Sequence, residues 1–424
     1  MPTRAVRYYL TLSALILLFS ISLGSSFIMF QSLLRIGIQL DTAQISIIYI
    51  AIAFIALFCA PVFGVWQGML GTSRKLLAII GIGLVLTTSI LGVLFVVVAK
   101  FSFVLAVAIA GLYFGTIIQS GVGTVESYCE QATRRLGYFE YGQVRLWAPL
   151  GVSTATVMSG FWLTVNPYIC FWVSSVSGFL FLLALMTLDT TPLERVEETS
   201  AALLKKKSPL EYIRALVGNF KFWRLASYLF IVSSGSMLFD QQYPIFFSKL
   251  FEVPEVGMKT AGAILFVQML MEAACSIFLP FIINKTGARN GLLIAGAIMG
   301  IRILTISLTA YIPASYQIYW AGGLKLLQAI EIPLLILSTF KYIAQHFEER
   351  FTATVFLIGF QCSQQVSTIF LSSLIGLSYK TSLGYTGTYA LMALVILALT
   401  FLAIFTLPRR TSYSQDNVEA IAAS

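Results

Sequence analysis

The stretch from Tyr8 to Phe30, YYLTLSALILLFSISLGSSFIMF, decides the fold because it carries no charged residue over its whole length. A helix that crosses a lipid bilayer needs about 20 predominantly apolar residues, so this stretch is long enough to span. It is too long for the apolar core of a secretory signal peptide and has no clear small-residue cleavage site. We therefore expect it to be retained as the first membrane span.

Further apolar runs follow at regular intervals along the chain. With the first, they lie at 8–30, 45–66, 76–98, 102–125, 144–166, 168–187, 222–248, 260–284, 289–311, 315–340, 350–377 and 384–407. Hydrophobic residues make up 58% of the chain and charged residues only 11%, whereas a soluble domain has about 25% charged residues. The sequence thus predicts an all-α polytopic membrane protein with twelve transmembrane helices.

The longest polar segment divides these helices into two sets of six. We predict a six-helix bundle over 1–187, a linker over 188–221, a second six-helix bundle over 222–407 and a polar tail over 408–424. The halves resemble each other in places, since basic residues precede Phe-Glu at Phe139 and again at Phe347. Repeated six-helix halves are typical of secondary transporters.

The distribution of basic residues predicts the orientation in the membrane. If both termini and every second loop lie on one side, that side has nineteen lysines and arginines and the other side has five. Basic loop residues favour the cytoplasmic side. We therefore expect both termini in the cytoplasm of a bacterium, with the chain in its inner membrane.

Other functional classes are disfavoured. The net charge of +9 suggests nucleic acid at first, but the bases fall mainly in short loops, which is the pattern of membrane topology. The single histidine, His346, and five scattered cysteines give no metal-ligand set. A phosphate-binding Gly-Lys loop is not found in the sequence, nor is an arrangement of nucleophile and base, so we expect neither an ATP-driven pump nor an enzyme.

Seven ionisable residues interrupt the apolar runs or lie just inside their ends. They are Glu126, Arg145, Asp240, Glu272, Arg302, Lys325 and Glu331. Each costs about 2.5–3.5 kcal/mol at the centre of a spanning helix unless it is paired or faces water. Four are acids and three are bases, so one carboxylate has no formal partner and can carry a proton near neutral pH.

We take Glu331 as the candidate for this proton-carrying carboxylate. Lys325, Gln328 and Glu331 are spaced by three and form a polar ribbon on one helix. Pro333 cannot donate to the carbonyl of Ala329, which loosens the helical turn around Glu331. The alternative is a buried ion pair of Lys325 with Glu331 or with Asp240.

Glu126 and Arg145 lie on adjacent helices and form a candidate sugar site. A guanidinium donates several hydrogen bonds in one plane and a carboxylate accepts from two hydroxyls. The alternative is a salt bridge at the helix end, which the spacing of Glu126, Glu130 and Arg134 favours. Trp147 offers a stacking face for a sugar or, alternatively, interfacial packing.

Two further groups have both a functional and a structural interpretation. Asp240, in FDQQ, either lines a hydrated cavity or makes hydrogen bonds between helices. Glu272 and Arg302 lie on consecutive helices, and we expect that they can pair with each other.

Long segments of the chain resemble the lactose permease and sucrose permease group, the oligosaccharide:proton symporters of the major facilitator superfamily. The similarity covers nearly the whole chain. It is greatest in VESYCEQATRRLGYFEYGQVR, in FDQQ, in PFIINKTGARNGLLIAGAIMGIRIL and in LKLLQAIEIPLLILSTFKYIAQHFEERFTATVFLIGFQ. The resemblance implies twelve helices in two pseudo-symmetric halves, cytoplasmic termini and alternating access around a central cavity.

The resemblance also implies roles for single residues. Glu126 and Arg145 match the family's sugar-binding carboxylate and arginine. Asp240 and Lys325 match its charge pair between helices 7 and 10, and Arg302 and Glu331 match its proton-coupling pair, with Glu331 as the proton carrier. The predicted substrate-binding residues are Glu126, Arg145, Trp147, Asp240, Glu272 and Gln328, and the predicted proton-coupling residues are Arg302, Lys325 and Glu331.

Several positions depart from the family pattern. A second helix 7 aspartate and its helix 11 lysine partner are Met237 and Gln364 here, so both charges are absent together. The helix 8 glutamate position is Met269, and Glu272 can take over its role, as in a similar segment of sucrose permease. The histidine before the proton carrier is Gln328, the tryptophan that stacks on a galactosyl ring is Val152, and an acid after helix 2 is Gly68.

These observations predict proton-coupled uptake of a disaccharide or small oligosaccharide, with a sucrose-like or other non-galactoside sugar favoured over lactose. The proton gradient supplies the energy, no cofactor is expected, and the protein is expected to work as a monomer. A proton-driven exporter of drugs or sugars is one alternative. A sugar sensor that no longer transports is another, which Gly68 and Gln328 favour.

Overall fold

The computed structural model describes residues 3–36, 38–70, 73–166, 168–189, 214, 216–348, 351–379 and 381–409. Within these ranges each predicted apolar run forms a helix or a series of consecutive helical pieces. The twelve helices are α1 (Thr3–Ser22, Leu23–Ile28 and Phe30–Ile36), α2 (Thr42–Leu70), α3 (Lys75–Val85, Thr88–Phe95 and Val96–Ala99), α4 (Phe103–Leu136), α5 (Tyr141–Arg145 and Trp147–Val165), α6 (Ile169–Thr187), α7 (Phe220–Ser248), α8 (Pro254–Thr286), α9 (Ala288–Ser307), α10 (Ala314–Leu326 and Gln328–His346), α11 (Thr352–Leu371 and Ser372–Ser378) and α12 (Gly384–Thr406).

Most of these helices meet the requirements of a membrane span. In the described part of the chain, ten are long and apolar enough. The helix α3 becomes an eleventh if Lys75–Val85 and Thr88–Ala99, which are bent by 40°, form one span. The helix α5 occupies the remaining predicted run but is rich in serine, threonine and glycine. Such small residues let helices approach closely inside a bilayer, so α5 is suited to close packing against its neighbours.

The packing of the first six helices is repeated in the second six. In the first half α1 contacts α5 and α6, α2 contacts α4, and α3 contacts α6. In the second half α7 contacts α11 and α12, α8 contacts α10, and α9 contacts α12. Every contact is reproduced six helices later, so the two halves are pseudo-symmetric. The halves touch each other where α2 and α4 meet α11 and where α5 meets α8.

Equivalent arginines cap the last helix of each half. Arg74, between α2 and α3, donates to the carbonyls of Leu185 at 3.4 Å and Met186 at 3.3 Å near the end of α6. Arg289, between α8 and α9, donates through Nε to the carbonyl of Leu407 at 2.8 Å, beyond α12. A cation at a helix C-terminus satisfies orphan carbonyls and complements the helix dipole. We call the end of the molecule that holds these two arginines the basic end.

The predicted linker and tail fall mostly outside the described residues. Of the segment 188–221, the structure describes 188, 189, 214 and 216–221, and of the tail 408–424 it describes 408 and 409. The lysine run at 205–207 therefore lies outside the described residues, and the boundaries of the two bundles stay predictions.

Candidate functional site

The seven predicted membrane charges collect into three groups inside the helical bundle. They come from α4, α5, α7, α8, α9 and α10, so both halves contribute. In each group a cation lies within 4 Å of at least one carboxylate. The bundle therefore compensates each charge with a partner, as the cost of burying a lone charge in lipid requires.

The first group is centred on Arg145 of α5, which lies between carboxylates from the two halves. Its Nη1 and Nη2 donate to Oε1 of Glu272 on α8 at 3.2 and 3.3 Å, and Nη1 reaches Ser276 at 3.5 Å. On the other side, its Nε lies 3.6 Å from Oε1 of Glu126 on α4. We call Glu126, Arg145 and Glu272 the arginine triad.

One edge of the triad is not closed by hydrogen bonds. The 3.6 Å separation of Arg145 Nε and Glu126 exceeds hydrogen-bond distance, and Nε has no hydrogen-bond partner among the described residues. A hydroxyl placed between them would accept from Nε and donate to the carboxylate. The triad thus combines a strong ionic core with a donor and an acceptor that do not bond each other, and because Nε is buried here, a polar ligand would reach it only after neighbouring groups move.

The second group joins α7 to α10. Lys325 Nζ lies 2.5 Å from Oδ1 of Asp240 and also donates to Oε1 of Gln328. The amide of Gln328 donates in turn to Oδ2 of Asp240 at 2.6 Å. Gln328 is therefore a bridge between the lysine and the aspartate. The aspartate side chain is 38% exposed while the lysine is buried, so the carboxylate forms the polar wall of an accessible space.

The third group is the pair of Arg302 on α9 and Glu331 on α10. Arg302 donates through Nε to Oε2 at 2.8 Å and through Nη2 to Oε1 at 3.0 Å, and both side chains are fully buried. This two-point geometry is the strongest arrangement that an arginine and a carboxylate form. Because Pro333 lies in the same helix, the carbonyl of Ala329 lacks its usual backbone donor.

The pairing corrects two expectations from the sequence. Glu272 does not pair with Arg302 but with Arg145, because this part of α8 faces α5 of the other half. Glu331 is not the carboxylate without a formal partner, since it forms the two-point pair with Arg302. The surplus carboxylate lies instead in the arginine triad, where two acids share one base.

Other predicted residues lie near these groups with different contacts. Trp147 donates through Nε1 to the Tyr9 hydroxyl at 3.3 Å, which joins α5 to α1 and favours the packing interpretation. Glu130 pairs with Arg134 at 3.2 Å, so Glu130 rather than Glu126 makes the helix-end salt bridge.

Two positions that depart from the family pattern lie on facing helices. Thr368, one turn after Gln364 on α11, donates to the sulfur of Met237 on α7 at 3.6 Å. A charge pair at positions 237 and 364 would therefore be feasible, and its joint loss leaves neither charge unpaired.

Sequence reasoning missed two side chains that complete the site. Ser276 reaches Arg145 and is four residues after Glu272, so helical spacing was a usable signal. Phe239 lies with its ring against two of the cations, Arg302 and Lys325, and only its position next to Asp240 pointed to it.

The two halves are joined between the triad and the basic end. Gly142 of α5 lies so close to α8 that a Cβ atom there would be 2.1 Å from the carbonyl oxygen of Ser276. Glu140 forms an ion pair with Lys341 of α10 at 3.2 Å and accepts from Asn284 at 3.1 Å. These contacts hold α5 against α8 and α10 at this end.

A cavity of about 560 Å³ lies at this junction of the halves. Its lining includes Glu130 of α4, Tyr141 of α5 and Lys341 of α10. Glu130 and Tyr141 are each one helical turn from the triad residues Glu126 and Arg145. The cavity therefore ends close to the triad on its basic-end side.

Comparison with known proteins gives this architecture its class. The family model of the LacY proton/sugar symporter matches residues 1–418. The chain is 31% identical to raffinose permease of Escherichia coli over 90% of its own length and 88% of the relative's, and 29% identical to sucrose permease of Escherichia coli over 95% and 94%. The structure of the major facilitator superfamily proton:xylose symporter XylE superimposes with a TM-score of 0.69 at 13% identity, covering 98% of both chains.

The chain belongs to the LacY proton/sugar symporter family. It is a polytopic membrane protein with the major facilitator fold. The predicted family and fold class are thereby confirmed, while the roles of single residues stay predictions.

Proposed function

We propose that this protein takes up a disaccharide or small oligosaccharide together with a proton, by alternating access across a bacterial inner membrane. The observation that carries the proposal is the arginine triad, in which Arg145 joins Glu126 of one half to Glu272 of the other. A sugar bound at this junction would contact both halves, so its binding energy can favour one arrangement of the halves over another.

The sugar-binding roles follow from the available hydrogen-bonding groups. Arg145 Nε and the Glu126 carboxylate face each other at 3.6 Å without a hydrogen bond, and Glu272 has a second oxygen beyond the one that Arg145 binds. Asp240 adds an accessible carboxylate on the second-half side, and the buried Gln328 holds that carboxylate in place by a hydrogen bond. Vicinal hydroxyls of a sugar match this set of donors and acceptors.

Specificity is proposed to exclude galactosides such as lactose. Val152 supplies no aromatic face for stacking on a galactosyl ring, Met237 is uncharged, and the acidic group of α8 is at Glu272. We therefore favour a sucrose-like or other non-galactoside sugar. Relatives that match the chain include permeases for raffinose, sucrose and lactose, so the family alone leaves the substrate open.

Proton coupling is assigned to Glu331 and Arg302, with Lys325 beside them. A proton on Glu331 would remove the charge that binds Arg302 at 2.8 and 3.0 Å. Because both side chains are fully buried, this change of charge would alter the packing energy of α9 against α10. The proton gradient would supply the energy and no cofactor would take part.

We propose that the protein works as a monomer. In the proposed orientation the basic end lies in the cytoplasm. Support comes from the excess of basic residues on that side and from the arginine caps of α6 and α12. In this orientation the junction at Gly142 closes the cytoplasmic side.

The test uses Glu331→Gln, which keeps the shape of a protonated glutamate but cannot release a proton. We expect the variant to lose uphill accumulation of sugar and to keep exchange of labelled sugar across the membrane. Glu255→Gln, which neutralises an exposed carboxylate in the first turn of α8 outside the three charge groups, is the matched control and should retain accumulation. If Glu331→Gln still concentrates sugar, the proton assignment is wrong.

Two further measurements on the wild type distinguish the alternatives. Sugar binding by the wild type without any flux would favour a sensor, and proton-driven efflux in oriented vesicles would favour an exporter.

A further inference from the structure

One buried ring, that of Phe239 in α7, contacts two of the three cations inside the bundle. The Arg302 guanidinium carbon lies 4.7 Å from the ring centroid, and Lys325 Nζ lies 5.3 Å from it. Both distances are within the roughly 6 Å range of a cation–π interaction. The Phe239 side chain is fully buried, so water does not weaken these contacts.

The two cations belong to different ion pairs. Arg302 binds Glu331, and Lys325 binds Asp240, the residue next to Phe239 in α7. The Phe239 ring therefore touches both ion pairs at once. If the acid of one pair loses its charge, the ring has to stabilise more of the positive charge of the cation in that pair.

Arg302 has few other partners. Its Nε and Nη2 bind Glu331, while its Nη1 has no hydrogen-bond partner among the described residues. Lys325 differs because it also contacts Gln328 and the Tyr243 ring, which lies 5.0 Å from Nζ. Removing the Phe239 ring would therefore affect the arginine more than the lysine.

We propose that Phe239 is a positioning residue that holds the Arg302 guanidinium in place while Glu331 is neutral. This inference rests on the proposed function, in which Glu331 alternates between charged and protonated forms. With Glu331 charged, the carboxylate dominates the binding of Arg302. With Glu331 protonated, the negative face of the ring compensates this fully buried cation together with the carboxylate of Asp240, which also acts on Arg302.

The experiment is a double-mutant cycle read out as the thermal unfolding midpoint of the full chain purified in detergent. Its variants are Phe239→Leu, Glu331→Gln and the two combined, and Glu331→Gln represents the neutral state. We expect the loss of Tm caused by Phe239→Leu to be roughly twice as large in the Glu331→Gln background as in the wild type. Equal losses in both backgrounds would show that the ring only packs, and would overturn the proposal.

A second series removes the charge attraction without changing the size of the ring. Phe239 is replaced by mono-, di- and trifluorinated phenylalanine, which progressively weakens the negative face of the ring. We expect Tm to fall with each fluorine in the Glu331→Gln background and to change much less in the wild-type background. A series that is flat in both backgrounds would contradict the proposal even if Phe239→Leu fails to fold.

The matched control is Phe247→Leu. Phe247 is fully buried two turns further along α7 and contacts Tyr243 and Phe251, and no cation is described on its ring. Its loss of Tm should be the same in both backgrounds. These Tm measurements do not require transport. A wrong proton assignment would appear as sugar accumulation by Glu331→Gln, whereas a ring that does not couple with Glu331 would appear in the Tm values alone.

Discussion

The arginine triad makes a quantitative prediction because two acids share one base. Either Glu126→Gln or Glu272→Gln leaves Arg145 with one carboxylate, whereas the double variant leaves it with none. The three side chains are between 5% and 12% exposed, so little water can compensate the arginine. The effect of the two substitutions together should therefore exceed the sum of the separate effects.

The distances and hydrogen bonds in the triad set the expected change in the free energy of unfolding for each variant. Glu126 lies at 3.6 Å without a hydrogen bond and close to a like charge, so its neutralisation should change the free energy of unfolding by about 1 kcal/mol or less. Glu272 accepts two hydrogen bonds at one oxygen, and a glutamine amide oxygen can retain both without the charge, so Glu272→Gln should cost about 1–2 kcal/mol. The double variant isolates a buried cation, which costs about 3–5 kcal/mol.

The assay is the unfolding midpoint of the four proteins in detergent without sugar. We expect the double variant to lose about twice the summed loss of the single variants. Glu140→Gln is the control, since its pair with Lys341 is 39% exposed on the acid side and should contribute little. Additive losses would refute the reasoning, because they would mean that Arg145 does not depend on the two carboxylates jointly.

Two further predictions concern the second ion pair and the junction of the halves. Asp240→Asn leaves the buried Lys325 without its carboxylate, so both Tm and transport should fall. Adding Lys325→Gln removes the unpaired charge and should recover roughly half of the lost Tm. If Tm does not recover, stability does not depend on this ion pair. Gly142→Ala places a methyl group 2.1 Å from the carbonyl oxygen of Ser276, which is too close for this packing of α5 on α8. The two halves should therefore separate more often at the basic end. A cysteine introduced as Gln345→Cys, in the lining of the adjacent cavity, should then react several-fold faster with a water-soluble maleimide, and an unchanged rate would show that the contact tolerates a side chain.

Much of the fold could be predicted because lipid imposes a simple requirement on sequence. Each apolar run in the sequence corresponds to a helix, since backbone groups in a bilayer must bond within their own segment. The π-helical turns at Leu23–Ile28 and Leu357–Gln361 had no sequence signal, because they depend on how neighbouring helices pack. The glycines of α5 allow its close contacts with α1 and α8.

The members of the site could be predicted but not their pairing. A charge in an apolar run is visible in sequence, whereas its partner depends on the rotation of each helix about its axis. Sequence order suggested that Glu272 would meet Arg302 on the following helix, but close packing of α8 on α5 directs Glu272 to Arg145. The Phe239 ring was missed because an aromatic residue in a membrane helix has no polar signal of its own.

Inward sugar–proton symport can be measured as a change in the pH of a lightly buffered, de-energised suspension of cells that contain the protein. Sucrose, lactose, melibiose, maltose and raffinose are added in turn, and Glu331→Gln cells serve as the control. We expect the medium to become more alkaline with a non-galactoside sugar in wild-type cells and to keep its pH in the variant. No change of pH with any of the five sugars, in cells shown to contain the protein, would contradict this expectation.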